Sequence, residues 1–257
     1  MARPVKLFNM VFPVISMRKN PATGRVETAT NQIYGTAFPI APGLFMTAEH
    51  VASAAAADGR VCVSRIPSNP GAQMPSYPAR ACYVFPEFDV GLLVIDVPDA
   101  VPVPLVFDQP LDNLQDVETT GFPLAVDPEW LRVVPRSFKG SVVTRRTVFE
   151  KPGQPAGYEL TFPAPPGLSG APLFYRATTG AQCHAMVISE VGIGTAGRSV
   201  QFALALDVRI LLSLSVKELG GSLAPLWRRP AEPAPAIAEK QLPGGLAATS
   251  DSETWPD

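Results

Sequence analysis

Three separated blocks of the sequence contain the residue types that nucleophilic catalysis requires. His50 is one of only two histidines, Asp89 directly precedes an apolar run, and Ser169 has glycines close on both sides. A serine hydroxyl is a poor nucleophile at neutral pH, so it needs a base, usually histidine, and the imidazole needs a carboxylate to set its tautomer. All three parts occur here in the order His, Asp, Ser, which indicates this chemistry.

Each block on its own has a plainer interpretation. A lone histidine is more often a structural hydrogen-bonding residue, and an aspartate before a strand is more often a turn residue. The second histidine, His184, has no motif partner and is predicted to be structural. Asp96 is an alternative to Asp89 as the carboxylate that orients the histidine. A separation of seven residues along a strand places the two side chains on opposite faces, so they cannot serve interchangeably. The glycines beside Ser169 permit a tight turn that exposes its hydroxyl and leaves adjacent amides pointing into one space.

Strands and turns are the elements predicted to position these residues. The 29 prolines make up about 11% of the chain, against roughly 5% in average proteins. Proline removes a backbone donor and breaks helix interiors, so long helices are disfavoured. About a dozen short runs rich in β-branched and aromatic residues alternate with turn clusters, a pattern that predicts a β-sandwich or a β-barrel.

Two helical segments and a tail interrupt this pattern. A short helical turn is predicted from His50 to Ala57, and one longer helix from Asp207, a good N-cap, to Gly220, which can adopt the left-handed C-cap. Residues 225–257 are rich in Pro, Ala, Glu and Ser, so they bury too little apolar surface to fold, and a flexible tail is predicted. The alternative is a binding or autoinhibitory peptide anchored by one of its two tryptophans.

Composition and charge exclude several classes of protein. The net charge of −2 lacks the basic excess that would neutralise phosphates, so nucleic acid is not an expected partner. No run approaches the roughly 18 to 20 apolar residues of a membrane helix, so no membrane partner is expected. The apolar run near the amino terminus contains Asn9 and Pro13, which favours a first strand over a signal peptide. Cys62, Cys82 and Cys183 lack metal or disulfide spacing, which predicts no metal site and a cytoplasmic protein.

The ordered set of blocks resembles the chymotrypsin-like, trypsin-fold serine peptidases, whose three blocks read approximately TAAHC, DIAL and GDSGGP. Here they read TAEHV at residues 47–51, DVGLL at 89–93 and GLSGAP at 167–172. TGFP at 120–123 resembles a glycine-rich turn of the bacterial HtrA-like branch. The chain after Leu219 is too short for the PDZ module that normally follows in that branch. The resemblance therefore implies a compact bacterial trypsin-like or HtrA-like peptidase domain without a PDZ module.

The resemblance also implies a particular architecture. It implies an all-β fold of two six-stranded antiparallel β-barrels, the first from about residue 5 to 107 and the second from about 115 to 206. A terminal helix at 207–220 would complete a peptidase domain at 1–224, followed by the tail at 225–257. It also implies a serine endopeptidase that acts on a protein or peptide substrate through an acyl-enzyme, without a cofactor. The alternative is an inactive trypsin-fold module that binds a protein or peptide. The oligomeric state is left open.

The resemblance also assigns roles to individual residues. His50 would be the general base, Asp89 its orienting partner and Ser169 the nucleophile. The backbone amides of Gly167 and Ser169 would form the oxyanion hole. Ser189 matches a serine that commonly supports the aspartate, although an ordinary strand serine is an equal alternative.

Substrate specificity is expected to depend on the residue six positions before the serine, which sets the floor of the P1 pocket in trypsin-like enzymes. That residue is Pro163, so no carboxylate occupies the floor. The resemblance therefore implies a small or medium apolar P1 residue rather than Arg or Lys. Glu190 and Glu159 are the two carboxylates that could still reach the pocket.

Overall fold

Short antiparallel strands joined by tight turns make up most of the structure, a computed structural model. It describes residues 7–19, 23, 26–28, 32–67, 74–123, 126–127, 132–145, 157–177, 180–195 and 198–228. The strands of the first half are β1 Phe12–Lys19, β2 Val26–Thr28, β3 Gly35–Ala41, β4 Leu44–Thr47, β5 Arg60–Ser64, β6 Ser76–Pro78, β7 Ala81–Phe85 and β8 Val90–Val94. A 3-10 helix, Leu7–Met10, precedes β1, and the predicted helical turn after β4 is present as α1, Glu49–Asp58.

The strands of the first half form one sheet in the order β6-β5-β1-β3-β4-β8-β7, with β2 added beside β1. Its two end strands, β6 and β7, are separated only by Ala79 and Arg80. The Ala79 amide donates to the Val61 carbonyl on β5, and the Arg80 amide donates to the Val94 carbonyl on β8. One bent stretch of chain thus joins both ends of the sheet and curls it into a barrel-like form. The sheet has eight strands rather than the predicted six, because this bend divides one strand and because β2 is added at the edge.

The second half contains the strands β9 Asp116–Gly121, β10 Val126–Asp127, β11 Arg132–Val133, β12 Arg136–Thr144, β13 Gly157–Leu160, β14 Pro172–Ala177, β15 Gly180–Thr195, β16 Arg198–Asp207, β17 Ser215–Val216 and β18 Gly221–Ser222. Six of these close into an antiparallel barrel in the order β12-β13-β16-β15-β14-β9. The prediction of an all-β fold with two barrels is confirmed.

Large apolar side chains fill the interior of the barrels. In the first barrel, the rings of Phe12 and Phe45 meet edge to face with their centroids 5.2 Å apart. Fully burying such a side chain stabilises a fold by roughly 1.5–3 kcal/mol. In the second barrel, the buried Tyr158 donates its hydroxyl to Asp207 Oδ2 at 2.7 Å and accepts from the Leu111 amide at 3.2 Å. Its polar atom is therefore satisfied where water is excluded.

The predicted terminal helix at 207–220 is not one continuous helix. It begins as expected, with the Asp207 carboxylate accepting from the Arg209 amide at 2.8 Å, but it forms only the 3-10 helix Val208–Leu212. The amide and the hydroxyl of Ser213 both donate to the Ile210 carbonyl, at 2.9 and 2.7 Å, which ends the helix. The chain then pairs β17 with β18 around a second 3-10 helix, Lys217–Leu219. The prediction was wrong because a hydroxyl competes locally for the backbone.

The first residues of the predicted flexible tail are folded. Pro225–Arg228 form a short helix, α2, from which the Trp227 indole donates to the Ile40 carbonyl on β3 at 3.2 Å. The indole also packs against Phe107, with ring centroids 5.4 Å apart. Packing of this half-buried ring orders a segment that composition alone had assigned to the tail. Residues 229–257, the rest of that prediction, lie outside the described residues. Within the described ranges, no helix combines the length and the apolar character needed to cross a membrane.

Candidate active site

His50 is held at the start of α1 by a carboxylate from a neighbouring turn. It is the second residue of the helix, so its backbone amide has no partner within the helix. That amide donates to Asp89 Oδ1 at 3.1 Å. The same carboxylate meets the imidazole, with Nδ1 2.9 Å from Oδ1 and 3.0 Å from Oδ2. Asp89 therefore fixes both the backbone and the ring of His50.

The geometry of this pair determines the histidine tautomer. A carboxylate only accepts hydrogen bonds, so the proton of the neutral ring lies on Nδ1, and Nε2 keeps its lone pair. The His50 side chain is about half exposed, with a relative accessibility of 49%. Nε2 is therefore the atom of the ring that can accept a proton from another group.

Asp89 adopts a backbone conformation that is uncommon for a residue with a side chain. It ends the turn between β7 and β8 with φ at +55°, in the left-handed region. Aspartate tolerates this region better than most residues, and strained backbone positions are frequent at functional sites. The turn directs the carboxylate toward the start of α1.

The surroundings of His50 raise its pKa. The hydrogen bond to Asp89 is the largest cause, and partial burial opposes it by lowering the pKa. The negative charges of Asp89 and Glu49 raise the pKa further. The site therefore stabilises the imidazolium form of the ring.

The segment around Ser169 leaves two backbone amides free. The Leu168 amide donates to the Pro165 carbonyl at 3.0 Å, and the Gly170 amide donates to the Val187 carbonyl at 2.7 Å. The N–H group of Gly167, which precedes Leu168, and that of Ser169, which lies between the two engaged amides, donate to no acceptor among the described residues. Two alternate amides of the turn are thus available to a negatively charged oxygen.

Two glycines allow this turn to lie against the rest of the molecule. Gly167 has φ at +95°, and a methyl group there would lie 2.4 Å from the Phe122 carbonyl oxygen. Gly170 has φ at +85°, and a methyl group there would lie 2.0 Å from the Thr36 carbonyl oxygen. Both the backbone conformation and the close approach exclude a side chain.

A third glycine brings the serine segment beside the histidine helix. A methyl group on Gly35, the first residue of β3, would lie 2.7 Å from the Ser169 carbonyl oxygen and 2.5 Å from Val51 Cγ2. Val51 is the residue after His50. The structure therefore brings together the His50, Asp89 and Ser169 blocks, although they are far apart in sequence.

The hydroxyl of Ser169 bonds to a backbone carbonyl and not to the imidazole of His50. It donates to the Ile188 carbonyl at 3.1 Å, and within the described part of the chain it makes no hydrogen bond to His50. Ile188 is the extra residue of a β-bulge, because Val187 pairs with Ala205 and Ser189 pairs with the adjacent Leu204. The bulge turns this carbonyl toward the serine.

The remaining predicted site residues are those expected to support Asp89 or to line the P1 pocket. Ser189 is half-buried on β15, and among the described residues it makes no hydrogen bond to Asp89. Pro163 is exposed, and Glu190 accepts from the neighbouring Ala164 amide at 3.1 Å. Glu159 is buried on β13. The expectation of an apolar P1 residue stays a prediction.

The second histidine and the alternative aspartate have local partners. His184 is buried, with Nδ1 2.9 Å from the Gln109 carbonyl oxygen, and burial lowers its pKa. Asp96 is exposed and forms an ion pair with Arg80 at 3.0 Å. In the ranges described, no three His, Cys, Asp or Glu side chains are grouped to hold a metal ion.

Two residues that contact the serine segment were not predicted from the sequence. One is Ile188, which acts through its backbone and has no sequence signal. The other is Thr36, which is fully buried and bonds to both Gly167 and Ser169. A threonine inside the apolar strand GTAFPI was a detectable signal, because a buried hydroxyl needs a partner.

Comparisons with known proteins agree with this architecture. Two solved structures are similar: the MamO protease domain of Magnetospirillum magneticum in its apo form, and the HtrA-type protease AlgW with a decapeptide. The first match has 14% sequence identity and a TM-score of 0.58, and covers 81% of this chain and 97% of that domain. The second has 15% identity and a TM-score of 0.56, and covers 79% of this chain and 62% of AlgW.

Sequence comparison gives a family. No curated protein matches the chain. A family described as the trypsin-like peptidase domain matches residues 35–180, a range that contains His50, Asp89 and Ser169. The matched range is more than half of the chain, and it spans strands from both barrels. This chain therefore belongs to the trypsin-like peptidase domain family.

Proposed function

We propose that this chain is a serine endopeptidase that cleaves protein or peptide substrates through an acyl-enzyme. The observation that carries the proposal is the hydrogen bond from His50 Nδ1 to Asp89, which leaves Nε2 as a base beside the Ser169 segment. The AlgW structures with a tripeptide and a decapeptide support a peptide as the substrate class.

The reaction assigns a step to each group. Ser169 Oγ attacks the carbonyl carbon of the scissile bond while His50 Nε2 takes the hydroxyl proton. The amides of Gly167 and Ser169 donate to the negatively charged oxygen of the tetrahedral intermediate. His50 then gives its proton to the leaving amine, and the C–N bond breaks to leave an ester on Ser169. A water molecule, deprotonated by His50, hydrolyses this ester and restores the serine.

The first step requires the Ser169 hydroxyl to turn from the Ile188 carbonyl toward His50. This change requires rotation about the Cα–Cβ bond of Ser169, and catalytic hydrogen bonds are often long or poorly aligned before substrate binds. The observed orientation is also the feature that favours the alternative function, a trypsin-fold module that binds peptides without cleaving them. The two functions differ in whether Ser169 becomes acylated.

A fluorophosphonate probe distinguishes these functions because it reacts only with an activated serine. We expect the wild-type chain to be labelled at Ser169 and the Ser169→Ala variant to remain unlabelled. The control is Ser141→Ala, which removes a surface hydroxyl that bonds to Asp116 and should not change labelling. If folded, intact wild-type protein is not labelled, the proposed endopeptidase is wrong.

The activity is expected to rise with pH around the pKa of His50. The ring must be neutral to accept the serine proton, and its pKa lies above the ordinary value of 6.5 because of Asp89. The pH profile of kcat/KM should therefore have an acid limb with a midpoint above 6.5. A midpoint at or below the ordinary value would contradict the assigned hydrogen bond.

The same shift has a consequence for stability. Because the pKa of His50 is raised in the folded chain, the folded state binds this proton more tightly than the unfolded state does. The pair therefore stabilises the fold fully below the ordinary histidine pKa. The contribution is lost as the pH rises through the folded-state value.

A further inference from the structure

Thr36 is a buried residue of β3 that contacts the serine segment from the other barrel. Its side chain and backbone are fully inaccessible to solvent. Its Oγ1 donates to the Gly167 carbonyl at 3.0 Å and accepts from the Phe122 amide at 3.1 Å. Its backbone amide donates to the Ser169 carbonyl at 2.8 Å. One residue therefore bonds to the carbonyl groups of both Gly167 and Ser169.

These bonds complete the fixing of two peptide groups. The peptide between Gly167 and Leu168 is held at its N–H by the Pro165 carbonyl and at its C=O by the Thr36 hydroxyl. The peptide that follows Ser169 is held at its N–H by the Val187 carbonyl and at its C=O by the Thr36 amide. Thr36 thus supplies one of the two bonds in each case.

The two fixed peptide groups alternate with the two whose N–H groups are free. The Gly167 N–H precedes the first fixed group, and the Ser169 N–H lies between the two. Gly167 has φ at +95°, and a glycine has no side chain to restrict its torsions, so hydrogen bonds must set the direction of its neighbouring peptides. The hydroxyl bond to the Gly167 carbonyl is the contact that does so from the first barrel.

We infer that Thr36 is a positioning residue for the oxyanion hole. Its hydroxyl acts through the Gly167 carbonyl, which it holds in place. The inference rests on the proposed endopeptidase function. The backbone bond from Thr36 to Ser169 survives any substitution that keeps the fold, so the side chain can be tested separately. Without the hydroxyl, the Gly167 carbonyl and the Phe122 amide lose their partner, and the peptide between Gly167 and Leu168 is held only by the bond from the Leu168 N–H to the Pro165 carbonyl.

The test compares Thr36→Val, which keeps the shape and removes the hydroxyl, with Thr36→Ser, which keeps the hydroxyl. The readout is the maximal rate of fluorophosphonate labelling and the probe concentration that gives half of it. We expect Thr36→Val to lower the maximal rate about 10-fold to 100-fold, since misplacing catalytic groups by about 1 Å has this effect. The half-saturating concentration should change little, and Thr36→Ser should restore the rate.

Thr119→Val is the matched structural control. Thr119 is also a fully buried strand threonine, and its hydroxyl donates to the Pro172 carbonyl at 2.8 Å. The Thr119→Val variant should have a lower unfolding temperature than the wild type, but the maximal labelling rate of the folded protein should not change. If Thr36→Val does not fold, Thr36→Ala, which leaves room for water, takes its place with the same expected outcomes.

The possible results separate this inference from the function on which it rests. If the wild type is labelled and the folded hydroxyl-deficient variant is labelled at the same rate, the positioning role is wrong and the endopeptidase stands. An equal loss of rate in Thr119→Val would also overturn the inference, because the loss of any buried hydroxyl would then be enough to slow labelling. An unlabelled wild type would overturn both.

Discussion

Replacing Asp89 with asparagine should lower kcat by about 10,000-fold, the magnitude found when a triad carboxylate is made neutral. Asp89 Oδ1 accepts from both the backbone amide and Nδ1 of His50. An asparagine that keeps its oxygen on the backbone amide turns its NH2 group toward Nδ1. Nδ1 must then accept, so the ring proton moves to Nε2. A protonated Nε2 cannot take the proton of Ser169.

Kinetics on a cleavable peptide, together with circular dichroism to verify folding, measure this effect. The matched control is Asp96→Asn, which removes an exposed carboxylate that pairs with Arg80 on the surface. Exposed ion pairs contribute about 0–1 kcal/mol, so the control should keep both stability and activity. If the two asparagine variants were equally active, Asp89 would not be the orienting residue.

Replacing Gly170 with alanine should cost about 4 kcal/mol of unfolding free energy and abolish labelling of the remaining folded protein. The added methyl group would lie 2.0 Å from the Thr36 carbonyl oxygen, and the residue would keep φ at +85°. Positive φ and overpacking each cost roughly 1–3 kcal/mol. Relief of the clash must separate β3 from the Ser169 segment, which moves the nucleophile away from His50.

Urea unfolding measures this stability loss, and Gly220→Ala isolates the backbone effect from the clash. Gly220 has a similar φ of +92°, but a methyl group there would have no atom within 4 Å. Its substitution should cost only about 1–2 kcal/mol, the steric penalty of the left-handed conformation. Equal losses of unfolding free energy in the two variants would show that the close approach of Gly170 to Thr36 does not contribute to the loss.

Local sequence patterns were sufficient to predict the strands and the α1 turn. β-Branched runs and proline-rich turns act over a few residues, so their effect is visible in the chain. The prediction of the terminal helix was wrong because an apolar pattern does not distinguish an α-helix from the 3-10 helix and short strand that bury most of these residues here. Ser213 decides between these conformations through its bonds to Ile210. Composition likewise predicted a tail at Pro225–Arg228 because it could not show that Trp227 meets β3.

The candidate site was predictable where a role requires a particular side chain. Histidine, aspartate and serine in order predicted His50, Asp89 and Ser169 as a set, and this assignment stays a prediction. The contact between Thr36 and Gly167 joins residues 131 positions apart, so no local pattern reports it. The carbonyl of Ile188 is directed by a bulge, and any residue type has such a carbonyl. Backbone roles and distant contacts depend on the folded chain.

The Trp227 contact determines how much of the chain forms an independently folding unit. The chain passes through the first barrel and the second, and then returns to the first, where the indole bonds to Ile40 and covers Phe107. The family match ends at residue 180, within the second barrel. Truncation before Trp227 would uncover the Phe107 ring and would leave the Ile40 carbonyl without its partner on β3, the strand that also contains Thr36. A fragment that extends to Arg228 is therefore expected to be more stable than one that ends before Trp227.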